Sequence, residues 1–157
     1  MTITGEMTTQ RRLLFGRVLP EAYRALVALH DAASDGLETG LVDLVCLRTA
    51  QINGCAFCLD MHSKDALHHG DTTDRLFLLD AWREASCYTP RERAALALTD
   101  AVTCVSETHV PDDVWEEAAA RFDERELAAL LAAIVSSNSW NRLNIAIREP
   151  AGAYRPR

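Results

Sequence analysis

An all-α fold, a single-domain helical bundle of about six to seven helices, is what this sequence predicts, and three observations carry that reading. No run alternates apolar and polar residues long enough to make a strand. The punctuation is helical, with prolines placed to open segments and glycines placed to close them. Two capping-box patterns precede apolar stretches. The chain has 157 residues, 48% of them hydrophobic, enough to bury the core of one compact domain but hardly of two. Without repeats or a low-complexity linker, residues 1–12 are expected as a flexible N-terminal segment and residues 13–157 as one helical domain.

The elements follow in order. Pro20 followed by "EAYRALVALHDAA" predicts a helix with proline in its first turn, interrupted at Gly36. A second helix is expected from Leu37 to Ile52, broken by Asn53 and Gly54, and a third from about Cys55 until Gly70 closes it. Another is expected over Thr73 to Ala85. "TPRE" at Thr89 to Glu92 is a capping box with proline at the first helical position, opening a helix to about Val105. Pro111 starts a short helix, and "DERE" at Asp123 to Glu126 opens the last and longest. In it "LAALLAAIV", Leu127 to Val135, is apolar at nine successive positions and has no polar face to give to water. It must be covered all round, by the domain's own core or by another subunit.

Composition excludes several classes of function. A net charge of -7 leaves no clustered Lys and Arg for phosphates, and the doublet Arg11 and Arg12 is too small for nucleic acid. No apolar run approaches the roughly 18 residues of a membrane span, and the start "MTITGEMTTQRR" lacks the apolar stretch of a secretory signal. A cytoplasmic location is the expectation. The five cysteines are odd in number and sparse, so reduced thiols are expected rather than a disulfide scaffold.

The stretch "QINGCAFCLDMH", residues 51 to 62, carries the chemistry. On a helix starting near Asn53, Cys55, Cys58 and His62 lie at i, i+3 and i+7 and share a face. Both thiols fall near the first turn, where unpaired backbone N–H groups and the helix dipole favour a thiolate. At an unperturbed pKa of ~8.5 only a few per cent of a thiol is ionised at pH 7, whereas a pKa of about 6.5 makes roughly three quarters thiolate. His62, one turn beyond Cys58, is placed to take its proton or to stabilise its anion. If the break at Asn53 and Gly54 joins an antiparallel pair, Asp43 lies opposite about position 64, within a turn of His62. An acid among Leu41, Val42, Leu44 and Val45 is out of pattern unless it faces solvent or a polar pocket. The functional reading is a proton relay of Asp43, His62 and Cys58 with Cys55 as second thiol. The alternative is a solvated Asp43.

These residues resemble the alkylhydroperoxidase D-like family of the carboxymuconolactone decarboxylase superfamily. "LVDLVCLRTAQINGCAFCLDMHSKDA" is similar to its core signature, and "LDAWREAS", "TPRERAALALTDAVT" and "SNSWNRLNIA" to later segments in order. The resemblance implies an all-α fold assembled as a homotrimer or homohexamer and a peroxide-reducing dithiol site. Cys58 would meet the peroxide, Cys55 would resolve it, and His62 with an upstream acid would relay protons, Asp43 standing at the family's glutamate position. It also implies an external dithiol reductant, a lipoylated or thioredoxin-like protein, and no bound cofactor. The decarboxylase branch does not use a CxxC pair, so decarboxylation is not the activity implied. Three positions depart from the pattern: Asp43 is a methylene shorter than glutamate, Phe57 stands where better-known members have a second histidine, and Ala50 replaces a common serine.

Two other readings of the motif are a structural zinc site and a helical oligomeric module whose CxxC is a relic. Cys55, Cys58 and His62 provide three ligands where a closed zinc site needs four, and no second CxxC or HxxxH is present. Metal is therefore not expected. Cys46 reads as a small buried hydrophobe, Cys87 and Cys104 as core or surface thiols, and His30, His68, His69 and His109 as helix-end or loop residues. Trp82, Trp115 and Trp140 read as core or interface anchors, Trp140 also as a candidate lining of the active site. The cluster Arg91 to Arg93 reads as a solvated face with local ion pairs.

Overall fold

The structure, a computed structural model, describes residues 10–156. Among them are nine α-helices and no strand: α1 (Phe15–Val18), α2 (Pro20–Ser34), α3 (Thr39–Asn53), α4 (Ala56–His68), α5 (Thr73–Leu78), α6 (Pro90–Thr103), α7 (Val105–Thr108), α8 (Asp112–Arg121) and α9 (Glu124–Ile147), with a 3-10 turn at Leu79–Ala81. α1 and α7 are single four-residue turns, which leaves seven helices of six residues or more. No helix among the described residues is long and apolar enough to cross a membrane.

Local chemistry sets the ends. Pro20 occupies the first turn of α2, where its missing N–H costs nothing. α6 and α9 each begin with a complete capping box, Thr89 with Glu92 and Asp123 with Glu126. The expected Thr73 to Ala85 helix stops at Leu78 and tightens into the 3-10 turn. That change of pitch buries both Leu79 and Trp82, and the Trp82 indole N–H reaches Asp100 Oδ2 at 3.2 Å. The expected helix to Val105 ends at Thr103, and a separate turn follows.

α3 and α9 form the middle of the bundle, with α2 and α6 packed against α9 and α4 and α6 packed against α3. Every residue from Leu41 to Leu47 is buried, because α3 divides two apolar clusters. Leu41 and Val45 face Leu98, Leu130 and Ile134, while Leu44 and Leu47 face Leu79, Trp82 and Leu96. Within the nine apolar positions of α9, the chain itself buries Leu127, Ala129, Leu130, Ala133 and Ile134. Val135 stays 47% exposed. The cluster Arg91 to Arg93 is tied down by tertiary contacts rather than solvated: Arg91 bridges Glu38 and Glu126, and Arg93 donates to the carbonyls of Trp82, Arg83 and Ala85.

Of the segment expected to be flexible, residues 1–9 lie outside the described residues. Arg12 N–H donates to Ile147 O at 2.8 Å and Arg11 pairs with Glu149, so this strand of chain lies along the end of α9. The C-terminal residues fold over α4: Gly152 N–H donates to Asp60 and the Tyr154 hydroxyl to Asp65.

Candidate active site

The thiol pair is positioned by how α3 ends. Gly54 takes the left-handed conformation, φ 68° and ψ 36°, which a side chain would disfavour. The N–H groups of Gly54 and Cys55 bond back to the carbonyls of Gln51 (3.3 Å) and Ala50 (3.1 Å), the Schellman pattern. The reversal delivers Cys55 in extended backbone as the N-cap of α4, and its Sγ accepts from the Cys58 N–H at 3.3 Å. Cys58 is thus the third residue of α4. Its Cα is 5.3 Å from that of Cys55, and the two sulfurs are joined as a disulfide. Both residues are fully buried, against Ala50, Phe57 and Leu59.

A row of asparagines on α9 backs this turn. Asn138, Asn141 and Asn144 recur every three residues on the buried face. Asn53 Nδ2 donates to Oδ1 of both Asn138 and Asn141 at 3.0 Å, and Asn144 Nδ2 donates to Cys58 Sγ at 3.5 Å. The amides therefore sew the α3–α4 turn to α9. The only trace of this in the sequence is a run of polar residues, "SSNSWNRLN", within an otherwise apolar helix.

His62 lies on α4, one turn beyond Cys58, and is buried. It makes no side-chain hydrogen bond among the described residues. Burial, with His30 nearby, pulls its imidazole down to about 4, so it is uncharged at neutral pH. Asp43 does not face solvent: it is buried, and burial raises its carboxyl above the ordinary value despite an opposing pull from His69. The two residues expected to share a proton share no hydrogen bond. Asp43 Oδ2 is instead 2.7 Å from His69 Nδ1. The chain returns from the end of α4 so that His69, a helix-end residue as the sequence suggested, claims the carboxylate. The same contact, joining the start of α3 to the end of α4, shows that the pair is antiparallel.

A cavity of about 840 Å³ opens next to this turn, with Phe57, His62 and Asn144 in its wall and the two buried cysteines behind them rather than lining it. Its walls include Tyr23, Phe57, Met61, Trp140 and Ile147, with Asp43, His62, His69 and Asn144 as polar groups. Tyr23 and Trp140 meet edge to face at 5.2 Å. Asn144 touches the sulfur of Cys58 on one side and lines the cavity on the other. His30, which the sequence placed at a helix end, sits inside α2 and lines the cavity, its Nδ1 3.5 Å from Ser136 Oγ. Cys46 is buried as expected, and burial pushes its thiol up to about 12. Among the described residues no group of three or more His, Cys, Asp or Glu side chains is gathered as a metal site.

Chemically, this is a vicinal dithiol at a helix N-terminus beside an aromatic-walled cavity with a neutral imidazole. The model of the carboxymuconolactone decarboxylase family matches residues 20–101. The uncharacterised protein YdfG of Bacillus subtilis (strain 168) is 33% identical over 144 residues, 91% of this chain and 98% of its own. A crystal structure of a protein of unknown function from Agrobacterium tumefaciens, provisionally assigned to antioxidant defence as an AhpD, superposes with a TM-score of 0.87 at 39% identity, covering 92% of this chain and all of that one. The debrominase Bmp8 has the same fold, TM-score 0.78 at 22% identity over 88% of this chain and 75% of its own. Motif, architecture and these likenesses agree, and the chain belongs to the carboxymuconolactone decarboxylase family, in its alkylhydroperoxidase D-like branch.

Proposed function

We propose that this protein is a thiol-dependent peroxidase that reduces organic or hydrogen peroxides through the Cys55 and Cys58 pair. The observation that carries the reading is the position of the pair. Cys55 caps α4, Cys58 is bonded to it, and a wall residue of the 840 Å³ cavity touches the Cys58 sulfur. The cavity gives a peroxide room to approach, and its aromatic walls suit an organic body.

In the reduced enzyme the Cys58 thiolate attacks the terminal peroxide oxygen. The O–O bond breaks, the sulfur is oxidised by two electrons to sulfenic acid, and the departing alkoxide or hydroxide takes a proton to become alcohol or water. The Cys55 thiol then attacks that sulfur, water leaves and the disulfide forms. An external dithiol, on a lipoylated or thioredoxin-like protein, reduces the pair by two electrons and is itself oxidised to a disulfide. Cys58 is assigned as nucleophile because it lies inside α4 beside His62 and Asn144, while Cys55 precedes the helix. Neutral His62 faces the cavity and can hydrogen-bond the peroxide.

The protein works as a homotrimer or homohexamer on this reading, which the exposed apolar residues Val18, Val135 and Ile145 support. Steady-state consumption of cumene hydroperoxide with dithiothreitol as reductant tests the function. Turnover in the wild type and its loss in Cys58→Ser are expected. Stoichiometric thiol oxidation no faster than that of Cys87 or Cys104 would leave the pair a relic.

A further inference from the structure

We propose that Asn144 is a catalytic residue of the thiol site, its side-chain N–H holding the anionic sulfur of Cys58 and then the oxygen that the sulfur acquires. The proposal rests on the thiol-redox reading above and adds to it the group that makes a buried thiolate tenable.

Cys58 is 0% exposed, and burial disfavours the charged form of a thiol. Cys46, one helix away and equally enclosed, shows how strongly burial acts: its thiol is raised to about 12 although the Ser137 hydroxyl beside it pulls the other way. An anionic Cys58 therefore needs a donor aimed at its sulfur. Its own N–H is directed at Cys55 Sγ, and the helix N-terminus contributes only the diffuse end of a dipole. His62 is neutral at physiological pH and brings no cation to the sulfur. The side-chain donor aimed at Cys58 Sγ is Asn144 Nδ2, at 3.5 Å.

Two further features fit a catalytic use. Asn144 is buried yet lines the cavity, so the amide that touches the sulfur is also within reach of a peroxide held there. Its helix is also fixed one turn away, where Asn141 and Asn138 accept from Asn53, so the donor is preorganised rather than recruited. A neutral acceptor sulfur holds such a bond weakly, and a thiolate or sulfenate oxygen holds it more strongly. The amide transfers no proton. It stabilises negative charge while the sulfur loses two electrons to the breaking O–O bond and the departing oxygen is protonated.

The test is the pH dependence of iodoacetamide alkylation of the fully reduced protein, followed by mass spectrometry on the peptide bearing Cys58, in wild type, Asn144→Leu and the near-isosteric Asn144→Asp. Removing a hydrogen bond to a charged group should slow Cys58 alkylation at pH 7 by about tenfold or more and move its midpoint up by about one pH unit or more. The limiting rate at high pH should be kept. Asn144→Asp should slow it further, by placing a carboxylate against the sulfur. Alkylation of Cys87 and the circular dichroism melt serve as folding controls, and if the leucine variant does not fold the aspartate variant decides alone. Profiles for Cys58 that superimpose on wild type overturn the proposal. A low, Asn144-dependent midpoint in a protein inert to peroxide would uphold the role of Asn144 and remove the peroxidase reading. Peroxide oxidation of Cys58 with a midpoint unmoved by residue 144 would do the reverse.

Discussion

The carboxylate of Asp43 and Nδ1 of His69 lie 2.7 Å apart, tying the start of α3 to the end of α4 on the wall of the cavity. The Asp43 side chain is 10% exposed and that of His69 41%, so the pair is half in water. Its coupling should be about 1 kcal/mol in a double-mutant cycle of Asp43→Asn and His69→Gln, read by urea denaturation at pH 6. Asp43→Asn and His62→Gln should instead add to within about 0.5 kcal/mol. Coupling of Asp43 to His62 but not to His69 would restore the relay expected from the family resemblance.

His62 predicts an acid-side loss of stability. Its folded imidazole titrates near 4, below its ordinary value of 6.5. Above pH 6.5 both folded and unfolded chains carry it neutral, and it contributes no pH dependence. As pH falls from 6.5 towards 4 the unfolded chain takes up the proton and the folded one does not, so stability drops by up to about 1.4 kcal/mol per pH unit. Below about 4 the two states bind equally. Asp43, whose carboxyl is raised, works in the opposite sense nearer the carboxylate range. His62→Leu should flatten the slope between pH 6.5 and 4. Denaturation midpoints of variant and wild type that run parallel across that window would show that His62 is not held neutral.

Gly54 has open space where a side chain would go, so its cost is conformational alone. Gly54→Ala, forced to keep φ near +68°, should lose about 1–2 kcal/mol of stability. It should also slow Cys58 alkylation, since the same turn sets the Cys55 cap. A variant as stable as wild type would mean that the turn at Gly54 relaxes without strain.

Much of this was legible in the residues because the relevant physics is local. Thr89 with Glu92 and Asp123 with Glu126 announce helix starts three residues apart, and Gly54 and Cys55 announce one end and the next beginning. What escaped depends on partners distant in the chain. Antiparallel register puts Asp43 near position 64 but does not say which imidazole turns towards it, and His69 reaches it from beyond the helix end. Asn144 meets Cys58 across 86 positions, and nothing in "RLNIA" alone distinguishes a buried amide from a solvated one. The break at Leu79 follows the burial of Trp82 on Asp100, a tertiary demand that helix propensity does not encode.

Intact and peptide mass spectrometry after one equivalent of cumene hydroperoxide tests the central claim, that Cys58 is the peroxide-reactive sulfur and Cys55 its resolving partner. The reduced wild type should lose two hydrogens as the Cys55–Cys58 disulfide forms. Cys55→Ser should stop with one added oxygen on Cys58, captured by dimedone, while Cys46, Cys87 and Cys104 stay reduced. Oxygen on Cys55 in a Cys58→Ser variant at the wild-type rate, or oxidation falling first on Cys87 or Cys104, would contradict the account.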